Sequence, residues 1–192
     1  MKHEHQPSFE EAKQAVRTIL RWIGEDPDRE GLVDTPKRFV NALKEHTSGY
    51  EHDEKTLSLT CFEYTENYSE MVLLKDIEFT SHCEHHIQPF TGVAHIAYFP
   101  DTRIVGLSKL ARIVDIFAKR LQTQEIMTQQ IINSLQKNLK PRGCAVQVIA
   151  THQCMATRGV KKPGARMITS AYSGVFDQNP DYQNRFLQAT QV

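Results

Sequence analysis

Apolar residues recur at helical spacing near the start of the chain. Phe9, Ala12, Val16, Ile19, Leu20 and Ile23 form one stripe, and Ser8 with Glu11 makes a capping-box signature ahead of it. The pattern predicts a helix over residues 8–23 that stops at Gly24. The polar segment 25–34, with Pro27 and Gly31, breaks the periodicity; Thr35-Pro36 then carries N-cap and first-turn chemistry for a second helix ending near Gly49. Beyond it the period changes. Leu57 and Leu59, then Val72, Leu74, Ile77 and Phe79, predict two strands separated by the polar run 64–70, and the second strand delivers the chain to Cys83. Residues 90–99 read as a further strand closed by Pro100-Asp101.

Two more helices follow, over 108–120 and 124–139. Ile113, Ile116 and Phe117 lie on one stripe and Ile131, Leu135 and Leu139 on the other, with Ser108 as the N-cap of the first and Pro141 and Gly143 ending the second. In a regular strand over 144–154 the even positions share a face, which would set His152 and Cys154 side by side. A last strand over 167–176 leads to a polar tail containing Asn179 and Pro180. This order predicts an α+β protein, an antiparallel sheet with a helix pair on one face, with residues 1–50 as an N-terminal helical region and 51–192 as the main domain. The second face of the sheet needs cover as well, and an apolar one favours oligomerisation.

Composition narrows the functional classes. Lys and Arg total 23 and Asp and Glu total 23, so the overall charge points to neither a nucleic-acid binder nor a membrane-surface protein, and any anion site must be local. No apolar run is long enough to span a bilayer, and Met1-Lys2-His3-Glu4-His5 lacks the apolar core of a signal peptide, which predicts a cytoplasmic protein. The 4 cysteines do not make a secreted disulfide framework. Cys61 and Cys144, in apolar strand-like surroundings, are expected as buried thiols.

The chemistry concentrates at Ser81-His82-Cys83-Glu84-His85-His86 and at His152-Gln153-Cys154. Cys83 and His86, three residues apart, can bind one Zn2+ from a single tight turn, and Cys154 can supply a third soft ligand. Three protein ligands leave a position for a water whose pKa falls to roughly 7, with His85 and His152 nearby to move protons. The same residues also allow a closed Cys83, His86, His152, Cys154 site that only staples two segments. His82 reads as an exposed loop histidine, and His3 and His5 as solvated tail residues.

Ser108, Lys109 and Arg112, at a helix start, bring a hydroxyl, two cations and free backbone donors together in a way that suits phosphate. Arg158 follows the second metal segment and extends the basic patch; Lys161 and Lys162 read as a solvated charged loop. Glu125, after Gln124, can simply favour the helix N-terminus. Its two acceptor oxygens can also take the adjacent N–H donors on the Watson–Crick edge of guanine.

Cys83-Glu84-His85-His86, Gly106-Leu107-Ser108-Lys109, Gln124-Glu125, His152-Gln153-Cys154 and Arg158-Gly159-Val160 occur in the order and approximate spacing of GTP cyclohydrolase I. The resemblance extends to Thr35-Pro36-Lys37-Arg38 and to the closing run 169–176, so it covers nearly the whole chain. It implies a tunnelling fold for 51–192, assembled as a homodecamer with active sites between subunits and open to allosteric control. Carried over residue by residue, it implies zinc on Cys83, His86 and Cys154, and acid–base roles for His85 and His152. Guanine falls to Glu125 with help from Gln124, triphosphate to Ser108, Lys109, Arg112 and Arg158, and Arg38 is a further phosphate candidate. Ser108 is also placed to relay a proton.

The activity so implied is hydrolysis of GTP at C8 of guanine, release of formate, and an Amadori-type rearrangement to 7,8-dihydroneopterin triphosphate, the first step of tetrahydrofolate and pterin biosynthesis. Two alternatives stand beside it: a related enzyme acting on another purine or pterin, and a zinc-stabilised assembly without this activity. His82, Gln88 and Thr123 depart from the family pattern, and none of them is a proposed ligand or catalytic group.

Overall fold

Ser8 and Glu11 cap the first helix reciprocally. The Glu11 N–H donates to Ser8 Oγ at 3.2 Å and the Ser8 N–H donates to the Glu11 carboxylate at 2.7 Å, which satisfies two donors that a helix start leaves free. In the computed structural model, which describes residues 6–52, 61–63 and 68–191, this helix is α1, Phe9–Trp22, and it packs on α2, Thr35–His46. The N-cap of α2 is Asp34 and not Thr35, and the helix ends before Gly49 because Ser48–Glu51 tightens into a 3-10 turn. Gly49 is required there: a Cβ would lie 2.2 Å from the Ile116 carbonyl oxygen and 2.5 Å from that of Lys119. The chain divides into two compact units, 1–47 and 48–192.

The second unit contains β1 (Cys61–Glu63), β2 (Val72–Cys83), β3 (Pro89–Phe99), β4 (Arg103–Val105), α3 (Leu107–Ala118), β5 (Leu121–Gln122), α4 (Gln124–Leu139), β6 (Gly143–His152), α5 (Gln153–Ala156), β7 (Met167–Gly174), α6 (Val175–Gln178) and α7 (Pro180–Thr190). The sheet order is β5-β2-β3-β6-β7; its four long strands are antiparallel, and β5 adds two residues parallel to the end of β2. This is the expected α+β arrangement: among the longer elements of the unit, β2 and β3, then α3 and α4, then β6 and β7 follow in chain order. Leu57 and Leu59 lie outside the described residues; the strand found nearby, β1, pairs with β4 as a separate ribbon.

The helix pair covers one face of the sheet. Leu110, Ile113, Val114 and Phe117 from α3 and Met127, Ile131, Ile132 and Leu135 from α4 are buried against Phe90, Ala94, Ile96, Tyr98, Cys144, Val146 and Val148. Burial pushes the Cys144 thiol up to about 12, as an inert core cysteine requires.

Part of the other face is covered by a segment whose sequence reads as a polar tail. It is helical: the Asn179 side chain accepts from the Asp181 N–H at 2.9 Å, Pro180 fills the first turn, and α7 follows. Phe176 and Phe186 are fully buried with Ala97, Phe99 and Ala145, with Tyr182 against Phe99 at 4.7 Å between ring centroids. Tyr182, Phe186 and Thr190 recur every four residues, a stripe too narrow to stand out among polar neighbours. Phe186→Ala is expected to destabilise the protein by about 3–5 kcal/mol, read as a lowered denaturant midpoint with unchanged slope.

Candidate active site

β2 hands the chain to a tight turn at Cys83. The Cys83 N–H donates to the Gln88 carbonyl at 2.9 Å and the Ile87 N–H to the Cys83 carbonyl at 2.8 Å, so residues 84–87 close the β2–β3 hairpin. Ile87 has φ 52°, a left-handed conformation that costs a β-branched residue about 1–3 kcal/mol. Within this turn Cys83 Sγ lies 3.9 Å from His86 Nδ1 and 3.7 Å from His85 Nδ1. His82 is not an exposed loop residue: it is a buried residue of β2, in register with Pro89 and Leu121.

The other thiol arrives differently from the sequence expectation. β6 ends at His152, and Cys154 sits in the single helical turn α5, so the two do not alternate along one strand. The turn nevertheless carries Cys154 to the hairpin, where the donor atoms of Cys83, His86 and Cys154 all lie within 4.8 Å of one another. Ligands at tetrahedral angles around zinc, with Zn–S of 2.3 Å and Zn–N of 2.0–2.1 Å, stand about 3.5–3.8 Å apart, so this donor set fits a zinc ion with small adjustments. Burial, followed by the neighbouring Cys83, pushes the Cys154 thiol up, while Arg158 opposes the shift. A cation between the sulfurs reverses that logic and holds both as thiolates.

His152 is not part of the metal group. Its ring stacks on Phe90, centroids 4.4 Å apart and planes 3° from parallel, and its Nε2 lies 2.9 Å from Gln124 Oε1. Burial pulls its pKa below the ordinary value and Glu125 opposes that shift. Among the described residues no closed Cys2His2 set is assembled: no fourth His, Cys, Asp or Glu joins the three donors.

Gln124, expected beside guanine, is 1% exposed, and its Nε2 donates to the Val148 carbonyl at 3.0 Å, the Met167 carbonyl at 3.1 Å and Thr169 Oγ1 at 3.2 Å. Its side chain is engaged inside the protein and is not offered to a ligand. Glu125, one residue on, is exposed and borders a cleft of about 260 Å3 with Thr128, Gln129, Thr169, Ser170 and Ala171. Thr128 and Thr169 escaped the sequence reading. Thr128 lies four residues after Gln124 on the same helical face, which is the signal that could have marked it.

Ser108 is exposed and is not the N-cap of α3; Gly106 is, with no side-chain cap bond, and Ser108 is the second helical residue. Lys109 is half-buried and Arg112 exposed, and Arg112 borders a second cleft of about 330 Å3 with His52, Asp115 and Lys119. The two clefts share no lining residue. Arg158, Lys161 and Lys162 are exposed on the segment after α5. Arg38, exposed on α2, pairs with Asp34 at 3.2 Å.

The family model for GTP cyclohydrolase I matches residues 12–191 of the chain. The chain belongs to the GTP cyclohydrolase I family. It is 54% identical over 181 residues to the GTP cyclohydrolase 1 of Brucella canis and to that of Brucella abortus, covering 94% of this chain and 85% of each relative. Among solved structures, the archaeosine synthase QueF-Like in the apo form is 17% identical, with a TM-score of 0.46 over 54% of this chain and 93% of that one. In this member of the GTP cyclohydrolase I family the donor atoms of Cys83 and Cys154 lie within 4.8 Å of each other, near enough for a small side-chain movement to join them where no cation lies between. After chelation and exposure to air, intact mass under non-reducing conditions should show a species lighter by two hydrogens, and zinc-loaded protein should not.

Proposed function

We propose that this chain converts GTP to 7,8-dihydroneopterin triphosphate and formate, with zinc held by Cys83, His86 and Cys154. The observation that carries the reading is the convergence of two thiols and one imidazole within 4.8 Å, with no fourth His, Cys, Asp or Glu joining the group among the described residues, in a chain of a family whose named relatives are GTP cyclohydrolase 1. When bound, zinc supplies Lewis-acid chemistry and lowers the pKa of a coordinated water to about 7, which provides a nucleophile at neutral pH.

The chain's own residues then divide the remaining work. Glu125, at the mouth of its cleft, accepts the two N–H donors of the guanine edge and so fixes the ring. His85, exposed in the hairpin turn, and His152, stacked on Phe90, are the acid–base pair that exchanges protons at N7 and at the attacking water. Ser108, Lys109, Arg112 and Arg158, with Arg38 as a further candidate, take the triphosphate, and Ser108 relays a proton in the later rearrangement. Holding both ends of the substrate turns the ring-opening and ring-closing steps into reactions of fixed partners.

The assembly belongs to the same proposal. Trp22 is 84% exposed, with Ile19 and Ile23 beside it in sequence also exposed, and β7 offers its outer edge without a strand partner among the described residues. Such surfaces suit a homodecamer in which neighbouring copies cover the edges and complete each active site, bringing the guanine cleft of one copy to phosphate-binding residues of another. Residues 1–50 are then the assembling extension and 51–192 the catalytic domain. No helix among the described residues is long and apolar enough to cross a membrane, which agrees with a cytoplasmic enzyme.

Formate release from GTP, with ATP as control, tests the reading directly: activity should vanish on chelation and return with zinc, and no formate from zinc-loaded, assembled protein would move the function to another substrate or to a structural role. Cys83→Ser should lose zinc and formate release together; full retention of both would remove Cys83 from the site. Glu125→Gln should raise the KM for GTP about tenfold to a hundredfold, as loss of a charged hydrogen-bond partner worth about 1.5–3 kcal/mol implies, and an unchanged KM would remove Glu125 from guanine binding.

A further inference from the structure

The amide of Gln124 has one orientation only. Shape cannot distinguish its oxygen from its nitrogen, but its partners can. One end faces the carbonyl oxygens of Val148 and Met167 at 3.0 and 3.1 Å, both pure acceptors, so the NH2 group must sit there; an oxygen in its place would meet two oxygens. Neighbouring hydroxyls agree. Thr128 donates to the main-chain carbonyl of Gln124 at 2.8 Å, which makes Thr169, 2.7 Å from Thr128 Oγ1, the donor to Thr128 and leaves Thr169 Oγ1 to accept from Gln124 Nε2 at 3.2 Å.

Oε1 of Gln124 therefore faces His152, 2.9 Å from Nε2, and an amide oxygen only accepts. We propose that Gln124 is a positioning residue that fixes the tautomer of His152, keeping the proton on Nε2 and the lone pair on Nδ1. Phe90 holds the ring plane from below, and rotating the ring by half a turn would exchange the Nε2–H···O bond for a C–H contact. Nδ1 of His152 makes no hydrogen bond among the described residues. Neutral His152 then has its lone pair on Nδ1, while its Nε2–H donates to Gln124 Oε1. A neutral amide does this without adding a charge, unlike the carboxylate that orients the histidine of a serine-protease triad.

The inference rests on the GTP cyclohydrolase reading for the reaction and on hydrogen bonding alone for the tautomer, and the two fail separately. A neutron crystal structure of the deuterated, zinc-loaded protein near neutral pH should show a deuteron on His152 Nε2 directed at Gln124 Oε1. A bare Nε2 with the deuteron on Nδ1 would overturn the proposal, even in a preparation that releases formate normally. Gln124→Met keeps the side-chain length and removes both functions; kcat should fall about tenfold to a hundredfold, with zinc content unchanged and the KM for GTP within about twofold. A raised KM with intact kcat would make Gln124 a substrate-binding residue and overturn the positioning role. Should the variant not fold, the neutron result still decides. Wild-type protein that releases no formate, with the Nε2 deuteron in place, would remove the reaction and leave the tautomer assignment standing.

Discussion

Strand β3 runs between β2 and β6, and the pairing of Phe90 with Ser81 on one side and His152 on the other is the constraint on which the site depends. It sets the end of β2, where Cys83 stands, level with the end of β6, from which Cys154 follows after one helical turn. A slip of one residue in either pairing would carry these groups to the wrong face of the sheet. Gly92 keeps β6 close: a Cβ there would fall 1.9 Å from the Ile149 carbonyl oxygen and 2.7 Å from Ala150 Cα. Packing of α3 and α4 on one face, and of Phe176 and Phe186 on the other, clamps that register from both sides.

Electrostatics completes what the register begins. Burial, and after it the neighbouring Cys83, raises the cost of ionising the Cys154 thiol, with Arg158 opposing. A cation removes the penalty, so folding prepares a site whose electrostatic tension a metal relieves. The turn that presents His86 accepts a left-handed Ile87 to do so, and strain of that kind persists where the surroundings over-determine the backbone. His152 is held by a different means, a stack on Phe90 and a buried amide, and is not part of the metal group.

Much of this was legible in the chain. The capping box at Ser8, the strand runs of β3 and β6, and the stripes of α3 and α4 each follow from local chemistry, and the Cys83/His86 spacing reports its own turn. Other features were not legible, for physical reasons. Cys154 reaches the metal group through a helical turn after β6, because strand alternation says nothing about where a strand stops. The C-terminal helix hides a narrow apolar stripe in a polar segment and gains its stability from the sheet it covers. Gln124 reads as a ligand-facing residue from its neighbour Glu125, yet consecutive helical positions point about 100° apart, and the buried direction fell to Gln124. Ser108 fails as a cap for a related reason: Gly106 adopts the extended conformation that starts the helix, two residues earlier.

Zinc K-edge X-ray absorption on the zinc-loaded protein and on its His152→Ala variant tests the central claim most directly, since it reads the ligands themselves. The account predicts two sulfur ligands at about 2.3 Å, one imidazole at about 2.0–2.1 Å and one non-imidazole oxygen, with the same spectrum in the variant. Two imidazoles in the parent spectrum, with one lost in the variant, would make the site closed and structural and would contradict it.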